Sequence, residues 1–144
     1  MAHDICTRPA LTRDRRAFGD LDPRAAGDLE RREQIDTAIA ARRCWVAESG
    51  GRMMGYGALS KNFFGRDFIE QIYVAEDARR SGGGSSILAA IEHACHNVQI
   101  FTSTNESNAA MRALLAKRGY APSGRIENLD RGDPELVFLK FLNA

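Results

Sequence analysis

The sequence lacks a long apolar run, which argues against an integral membrane protein. No uninterrupted apolar stretch approaches the roughly 18 to 20 residues that a membrane helix needs, although 44% of the 144 residues are hydrophobic. The N-terminal stretch also lacks the continuous apolar region of a secretory signal. We therefore expect a cytoplasmic protein with no membrane partner.

The sequence also lacks an excess of charge of either sign. Its net charge is +1, from 20 basic and 19 acidic residues. A chain so nearly neutral has no general attraction for nucleic acid or for an anionic lipid surface. We expect no nucleic-acid partner, and any anion that binds must be held by a local arrangement of residues.

Cysteine is scarce, and its spacing does not suggest a metal centre. Cys6, Cys44 and Cys95 form an odd and widely spaced set. His93 and His96 flank Cys95, but separations of two and one residues point to different faces of a helix. We predict no metal site and expect the three cysteines to be small core residues.

What the sequence does contain is a regular alternation of strand-like and helix-like segments, with no repeat and no long linker. The length suits a single domain over residues 1–144. The predicted order is a strand, two helices within residues 12–41, three strands, a helix, a strand, a helix and two strands. Gly50 and Gly51 separate the second and third strands as a tight hairpin turn. This order predicts an α/β (α+β) fold.

The stretch "VAEDARRSGGGSS" at residues 74–86 joins a strongly β-prone run to an amphipathic helix containing Ile87 and Ile91. The first amides of a helix have no intrahelical partner and carry about half a positive charge. Glycines let such amides converge on phosphate oxygens, and two adjacent arginines add positive charge. A Gly/Ser linker is the alternative, but the flanking elements leave little slack. We predict an anion-binding loop.

The same stretch resembles the acyl-CoA pyrophosphate loop of the GNAT N-acetyltransferase family. That loop has the pattern V-x-x-x-x-R/Q-x-x-G-x-G/A, and Val74, Arg79, Gly82 and Gly84 fill it without a gap.

A second segment, "NESNAAMRALLAKRGY", is similar to the family's N-x-x-A-x-x-L-Y-x-x-x-G-F helix. Asn108, Leu114, Gly119 and Tyr120 stand at the corresponding positions. Two motifs at the right separation, in an element order that is also the family's, cover most of the chain.

The resemblance implies the GNAT acyltransferase fold: a mixed, mostly antiparallel central sheet of about six to seven strands with about four flanking helices, splayed between the fourth and fifth strands. The pantetheine arm of acetyl-CoA would add like an extra strand to backbone groups of Ile72, Tyr73 and Val74. Its diphosphate would lie on the loop, for which the implied residues are Arg79, Arg80, Ser81, Gly82, Gly83, Gly84 and Ser85. Asn108 would contact the pantetheine or thioester region or would cap its helix, and both interpretations stay open.

The implied activity is N-acetyl transfer, with acetyl-CoA as the co-substrate and an amine as the acceptor. An alkylamine with a pKa near 10.4 is almost fully protonated at neutral pH, so the site must take its proton or bind it deprotonated. Glu70 is the candidate base, because the strand period of two places it on the same face as Ile72 and Val74. Many members of the family carry an acid at this position. A solvated carboxylate at the strand edge is the alternative.

One departure from the family concerns the general acid. The family often carries a Tyr seven residues after the helix-start Asn, where this chain has Leu115. A thiol leaves tolerably as the thiolate, so this change need not abolish catalysis. It also keeps open a different class of function, a non-catalytic acyl-CoA-binding sensor or scaffold.

The acceptor is the least defined part of this interpretation. In this fold it would lie between the helical segment of residues 18–40 and the loops near "SKNFFGRD" and "ENLDRGD". Acidic and basic residues are intermixed there. A small-molecule amine and a peptide amine both stay open, as does a homodimer.

Overall fold

The computed structural model describes residues 4–142. Within this range seven strands form one sheet in the order β1-β2-β3-β4-β5-β7-β6. The strands are β1 (Cys6–Pro9), β2 (Cys44–Ser49), β3 (Arg52–Phe63), β4 (Arg66–Val74), β5 (Gln99–Asn105), β6 (Ala121–Ile126) and β7 (Glu135–Phe141). The α-helices of the same range are α1 (Arg15–Leu21), α2 (Pro23–Gly27), α3 (Leu29–Ala40), α4 (Gly83–Ala94) and α5 (Ala109–Lys117).

The sheet is mixed and mostly antiparallel, as predicted. Neighbouring strands pair antiparallel in β1–β2, β2–β3, β5–β7 and β6–β7. The β4–β5 pair is parallel, and its short ladder joins Phe68 to Phe101 and Ile69 to Thr102. A parallel ladder of this kind fits the splay that the sequence predicts between the fourth and fifth strands.

The chain divides into two compact units. The first holds the residues up to Leu59 together with Gln71–Ala94, and the second holds Ser60–Glu70 together with the residues from Cys95 onward. A single domain over 1–144 therefore stays a prediction. Across the described residues, no helix is both long enough and apolar enough to span a bilayer.

Between β1 and β2 the chain forms three α-helices where the sequence predicts two. Asp22 and Asp28 divide the segment, because each side chain accepts a hydrogen bond from a backbone amide at the start of the next helix. Their partners are the amides of Arg24, at 3.0 Å, and Arg31, at 3.2 Å. Pro23 is the first residue of α2, where its fixed φ suits a helix start. Capping therefore breaks a charged, Ala-rich segment into shorter helices.

The core of the first unit lies between these helices and strands β2 and β3. Phe18 and Tyr56 pack edge to face, with ring centroids 4.7 Å apart. On α4 the buried face is formed by Ile87, Leu88 and Ile91, each fully buried. The predicted helical pattern of apolar residues therefore does face the core.

The cysteines are not three core residues. Cys44 is buried, and this burial raises the pKa of its thiol to about 12. Cys95 is half-buried just beyond the end of α4. Cys6 is exposed on β1, so the expectation that it lies in the core is wrong. The reason is position: β1 is a four-residue edge strand that pairs with β2 alone in the sheet order.

Two glycines of β3 allow α4 and β4 to approach closely. A Cβ built on Gly55 would lie 2.6 Å from the backbone oxygen of Tyr73. A Cβ on Gly57 would lie 2.6 Å from the Cγ2 of Ile87 and 2.9 Å from the Cδ1 of Ile91. The obstacle at Gly55 is backbone, whereas the obstacles at Gly57 are methyl groups of two isoleucine side chains.

We expect Gly55→Ala to lower the free energy of unfolding by about 1 to 3 kcal/mol relative to wild type, because a strand backbone must shift. Gly57→Ala should lower it less. Gly27→Ala is the control, since a Cβ there meets nothing within 4 Å. Urea-induced unfolding followed by circular dichroism measures all three. An equal or smaller loss for Gly55→Ala than for Gly57→Ala would contradict the backbone argument.

In the second unit, the segment "SKNFFGRD" is a hairpin rather than an open loop. Strand β3 continues to Phe63 and β4 begins at Arg66, so Phe64 and Gly65 form a two-residue turn. Both have positive φ, 54° and 74°, as the common hairpin turn requires. The ring of Phe63 stacks on that of Phe68 at 5.1 Å. The sequence does not reveal this hairpin because Phe is not a usual residue for a positive-φ position.

Candidate functional site

The predicted phosphate loop lies in the first unit and is held by backbone hydrogen bonds. At the end of β4, the Ala75 amide donates to the Met54 carbonyl at 2.7 Å, and the Ala78 amide then donates to the Ala75 carbonyl at 2.9 Å. An ion pair of 2.8 Å between Arg52 and Asp77 joins β3 to the loop. The segment is therefore an ordered strand-to-helix connection, as the anion-loop interpretation requires.

Helix α4 begins at Gly83. The Ser86 amide donates to the Gly82 carbonyl at 3.0 Å, which starts the hydrogen-bond ladder of the helix. The amides of Gly83, Gly84 and Ser85 precede it and belong to the first helical turn. These amides have the arrangement that binds phosphate at helix N-termini.

The backbone turns sharply before this helix. Arg80 and Gly82 both have positive φ, 71° and 93°. A Cβ on Gly82 would approach only the Cδ1 of Ile5, at 3.9 Å, so the space around this residue is open. Ser81 lies between the two, and its hydroxyl donates to the Ala78 carbonyl. Arg79 to Gly82 thus form an exposed turn, whereas Gly83, the first residue of α4, is buried, and Gly84 and Ser85 are half-buried.

Arg79 lies along the end of β4. Its Nε donates to the Val74 carbonyl at 3.1 Å. Its guanidinium carbon lies 5.8 Å from the ring centroid of Tyr73, within cation–π range. Ile72, Tyr73 and Val74 are all half-buried at this end of the strand.

Glu70 belongs to the second unit and lies on β4. Its side chain is half-buried, and its Oε1 accepts a long hydrogen bond of 3.4 Å from the Nδ2 of Asn62. Along the strand, the half-buried residues alternate with buried ones such as Ile69 and Gln71. This alternation agrees with the strand period on which the choice of Glu70 depends.

Asn108 is the N-cap of α5 in the second unit. Its Oδ1 accepts from the Met111 amide at 3.1 Å, so the capping interpretation is the one with a contact in the structure. The side chains of Asn105 and Ser107 do not take part in this cap. Their side chains bond to the turn before β7: Asn105 to Asp130 at 2.9 Å and Ser107 to Asp133 at 2.6 Å.

The position of the missing general acid is also defined. Leu115 is buried, at 1% exposure, on α5. The hydroxyls of Ser103 and Ser107 are not free to replace it as proton donors, because they already donate to Glu135 and Asp133, each at 2.6 Å.

The first unit contains a buried polar network that the sequence does not predict. The Tyr56 hydroxyl donates to the Oδ2 of Asp22 at 2.7 Å, and the Nε of Arg31 donates to the same oxygen at 3.1 Å. Gln71 of β4 extends the network, since its Oε1 lies 3.3 Å from the Tyr56 hydroxyl and its amide donates to Gln34 of α3. Burial, reinforced by the Asp22 carboxylate, raises the pKa of Tyr56.

The sequence carries one partial signal for this network. Asp22 before Pro23 is recognisable as a helix N-cap. Its pairing with Tyr56, 34 residues away, leaves no trace in the spacing.

Comparison with known proteins identifies the family of this chain. The family model described as the acetyltransferase (GNAT) family matches residues 10–120. A protein of Mycobacterium tuberculosis described as a probable N-acetyltransferase is 30% identical over an alignment of 88 residues, which covers 56% of this chain and 48% of that protein. The match thus spans about half the length of that curated relative.

Solved structures agree in fold. A GNAT-family acetyltransferase from Bacillus cereus superposes with a TM-score of 0.90 at 31% identity, over 98% of this chain and 99% of that one. The yncA protein of Salmonella typhimurium, solved with its cofactor acetyl-CoA, has a TM-score of 0.75 at 18% identity, over 98% and 95% of the two chains. With the family model covering most of the chain, the protein belongs to the acetyltransferase (GNAT) family.

Proposed function

We propose that this protein is an N-acetyltransferase that moves an acetyl group from acetyl-CoA to a primary amine by direct attack in a ternary complex. The observation that carries the proposal is the ordered connection from β4 to α4, with its open glycine turn and the helix amides that follow it. The yncA protein, which shares the fold, was solved with acetyl-CoA.

The residues of the first unit suit the cofactor. Amides from Arg80 to Ser85 would hold the diphosphate, and the charge of Arg80 and Arg79 would add to the partial positive charge of the helix N-terminus. Backbone groups of Ile72, Tyr73 and Val74 would pair with the pantetheine arm. Asn108 of the second unit is retained separately as a proposed contact to that arm or the thioester. A bulky side chain at Gly82 would occupy the space in which the diphosphate is proposed to lie.

The chemistry needs a proton acceptor for the amine. The amine nitrogen attacks the thioester carbonyl carbon, the carbon–sulfur bond breaks, and the electron pair leaves on sulfur as a thiolate. The proton that the amine loses passes to Glu70, directly or through water. With Leu115 in the place of a donor, the thiolate leaves without a general acid on that residue.

The remaining expectations belong to the same proposal. The acceptor is a small-molecule or peptide amine, the reaction uses no metal, and the protein works in the cytoplasm. One domain over 1–144 and a homodimeric state are retained as proposals.

Acetyl-CoA binding tests the cofactor half of the proposal. We expect wild-type protein to bind acetyl-CoA in isothermal titration calorimetry, and Gly82→Leu to bind about tenfold more weakly or worse, because lost amide contacts weaken anion binding. The matched control is Gly132→Leu, since Gly132 also has a positive φ (78°) and nothing within 4 Å of a built Cβ. Equal affinity of both variants would reject the loop as the diphosphate site.

Thiol release over a panel of primary amines tests the transfer half. Release that depends on both acetyl-CoA and an amine supports an enzyme. Binding of acetyl-CoA without thiol release across a broad panel of amines would instead favour a non-catalytic acyl-CoA sensor. The buried Leu115, in place of a proton donor, keeps this interpretation open.

A further inference from the structure

A cavity of about 300 Å³ opens among α1, α2 and α3 in the first unit. Phe18, Ala25 and Ile35 form its apolar floor, and each is at most 5% exposed. Its volume is at the lower end of the range of roughly 300 to 1,000 Å³ that is usual for small-molecule sites. The cavity therefore has room for a small ligand with a short apolar part.

The polar rim of this cavity is strongly basic. It carries Arg15, Arg16 and Arg32 but a single carboxylate, Asp36. The NH2 of Arg15 lies 2.8 Å from the Oδ2 of Asp36, so this arginine is already neutralised. For Arg16 and Arg32, no hydrogen bond or ion pair of the side chain is found among residues 4–142. The rim thus has two positive charges in excess.

Helical spacing directs these groups toward one opening. Arg32 and Asp36 are four residues apart on α3, with Ile35 beside them, so they share a face of that helix. Arg15 and Gly19 have the same separation on α1. Gly19 adds no side chain, and a Cβ there would already lie 3.6 Å from the Cβ of Ala26. Gly19, Ala25 and Ala26 contribute little side-chain volume to the lining that they share with Arg16 and Arg32.

We propose that this cavity is an anion-binding site for a small molecule that carries a carboxylate or phosphate next to a short apolar group. Guanidinium groups bind such anions through paired, charge-assisted hydrogen bonds, which are stronger than neutral ones. The apolar floor selects for the attached hydrocarbon. The proposal does not depend on acetyl transfer, since its residues are different from those assigned to acetyl-CoA.

Nuclear magnetic resonance titration tests the site directly. With ¹⁵N-labelled protein and no acetyl-CoA present, butyrate and inorganic phosphate are added separately, and the Arg Nε–Hε and backbone signals of residues 15–36 are followed. We expect saturable chemical-shift changes in wild type. The Arg16→Gln/Arg32→Gln double variant should bind butyrate or phosphate at least about tenfold more weakly than wild type does. Arg24→Gln/Arg131→Gln is the control, since it removes the same charge from exposed arginines outside the cavity.

The outcomes are separable. Linear, non-saturating shifts in wild type, or equal affinity in the two double variants, would overturn the site. If the cavity double variant does not fold by circular dichroism, the single variants Arg16→Gln and Arg32→Gln are titrated instead, and each must weaken binding.

A kinetic arm then identifies the source of the anion. Thiol release is compared for the amine pair glycine and methylamine, which differ by a carboxylate. A KM raised by the cavity variant for glycine alone assigns the anion to the acceptor, whereas butyrate binding with no change in either KM assigns it to a separate effector.

Discussion

Replacing Glu70 by Gln is expected to lower the turnover of acetyl transfer by about 100- to 10,000-fold, the usual contribution of a general base, while acetyl-CoA affinity stays unchanged. The substitution keeps the shape of the half-buried side chain and the hydrogen bond to Asn62 at 3.4 Å but removes the proton acceptor. Thiol release at saturating acetyl-CoA measures turnover, and calorimetry measures affinity.

The control for this prediction is Glu33→Gln, which makes the same chemical change on the exposed face of α3. It should leave turnover and affinity unaltered. Wild-type turnover in Glu70→Gln would remove this residue as the base and would leave an amine that binds deprotonated, or a base elsewhere. Loss of acetyl-CoA affinity together with turnover would instead assign Glu70 a structural role.

Removing the Asp22 carboxylate is expected to cause the largest loss of stability, about 3 to 5 kcal/mol for Asp22→Ala. Asp22 is fully buried and holds three donors: the Tyr56 hydroxyl at 2.7 Å, the Nε of Arg31 at 3.1 Å and the Arg24 amide at 3.0 Å. Its loss leaves the half-buried guanidinium of Arg31 without its counter-charge and removes the cap of α2. Urea-induced unfolding, monitored by circular dichroism, measures the change.

Two comparisons isolate the cause. Tyr56→Phe removes one donor and keeps the ion pair, so it should lower the stability less than Asp22→Ala. Asp77→Ala breaks an ion pair of 2.8 Å with Arg52 in which both side chains are more than half exposed, and it should change stability little. Comparable losses for Asp22→Ala and Asp77→Ala would show that burial of the pair is not what stabilises the fold.

The sequence predicted best where the determinants are close together in the chain. The hairpin at Gly50 and Gly51, the connection from Val74 into α4 and the cap at Asn108 each depend on a few consecutive residues with restricted backbone or capping preferences. The two errors in the N-terminal half have different causes. Asp28 begins a third helix that an Ala-rich composition conceals, which is a local effect. Cys6 is exposed because β1 lies at the edge of the sheet, which depends on the tertiary structure.

The sequence alone also indicated the family, because each of its two motifs is a short pattern of residues that can be recognised without the tertiary structure. The tertiary structure decided the rest. The strand order β5-β7-β6 and the Asp22–Tyr56–Arg31 network join residues tens of positions apart. The basic cavity likewise brings together Arg16 and Arg32, which lie on separate helices. Such contacts arise when apolar faces pack and bring unrelated segments together, and a polar side chain gives no sign in its own neighbourhood of the partner that it will meet there.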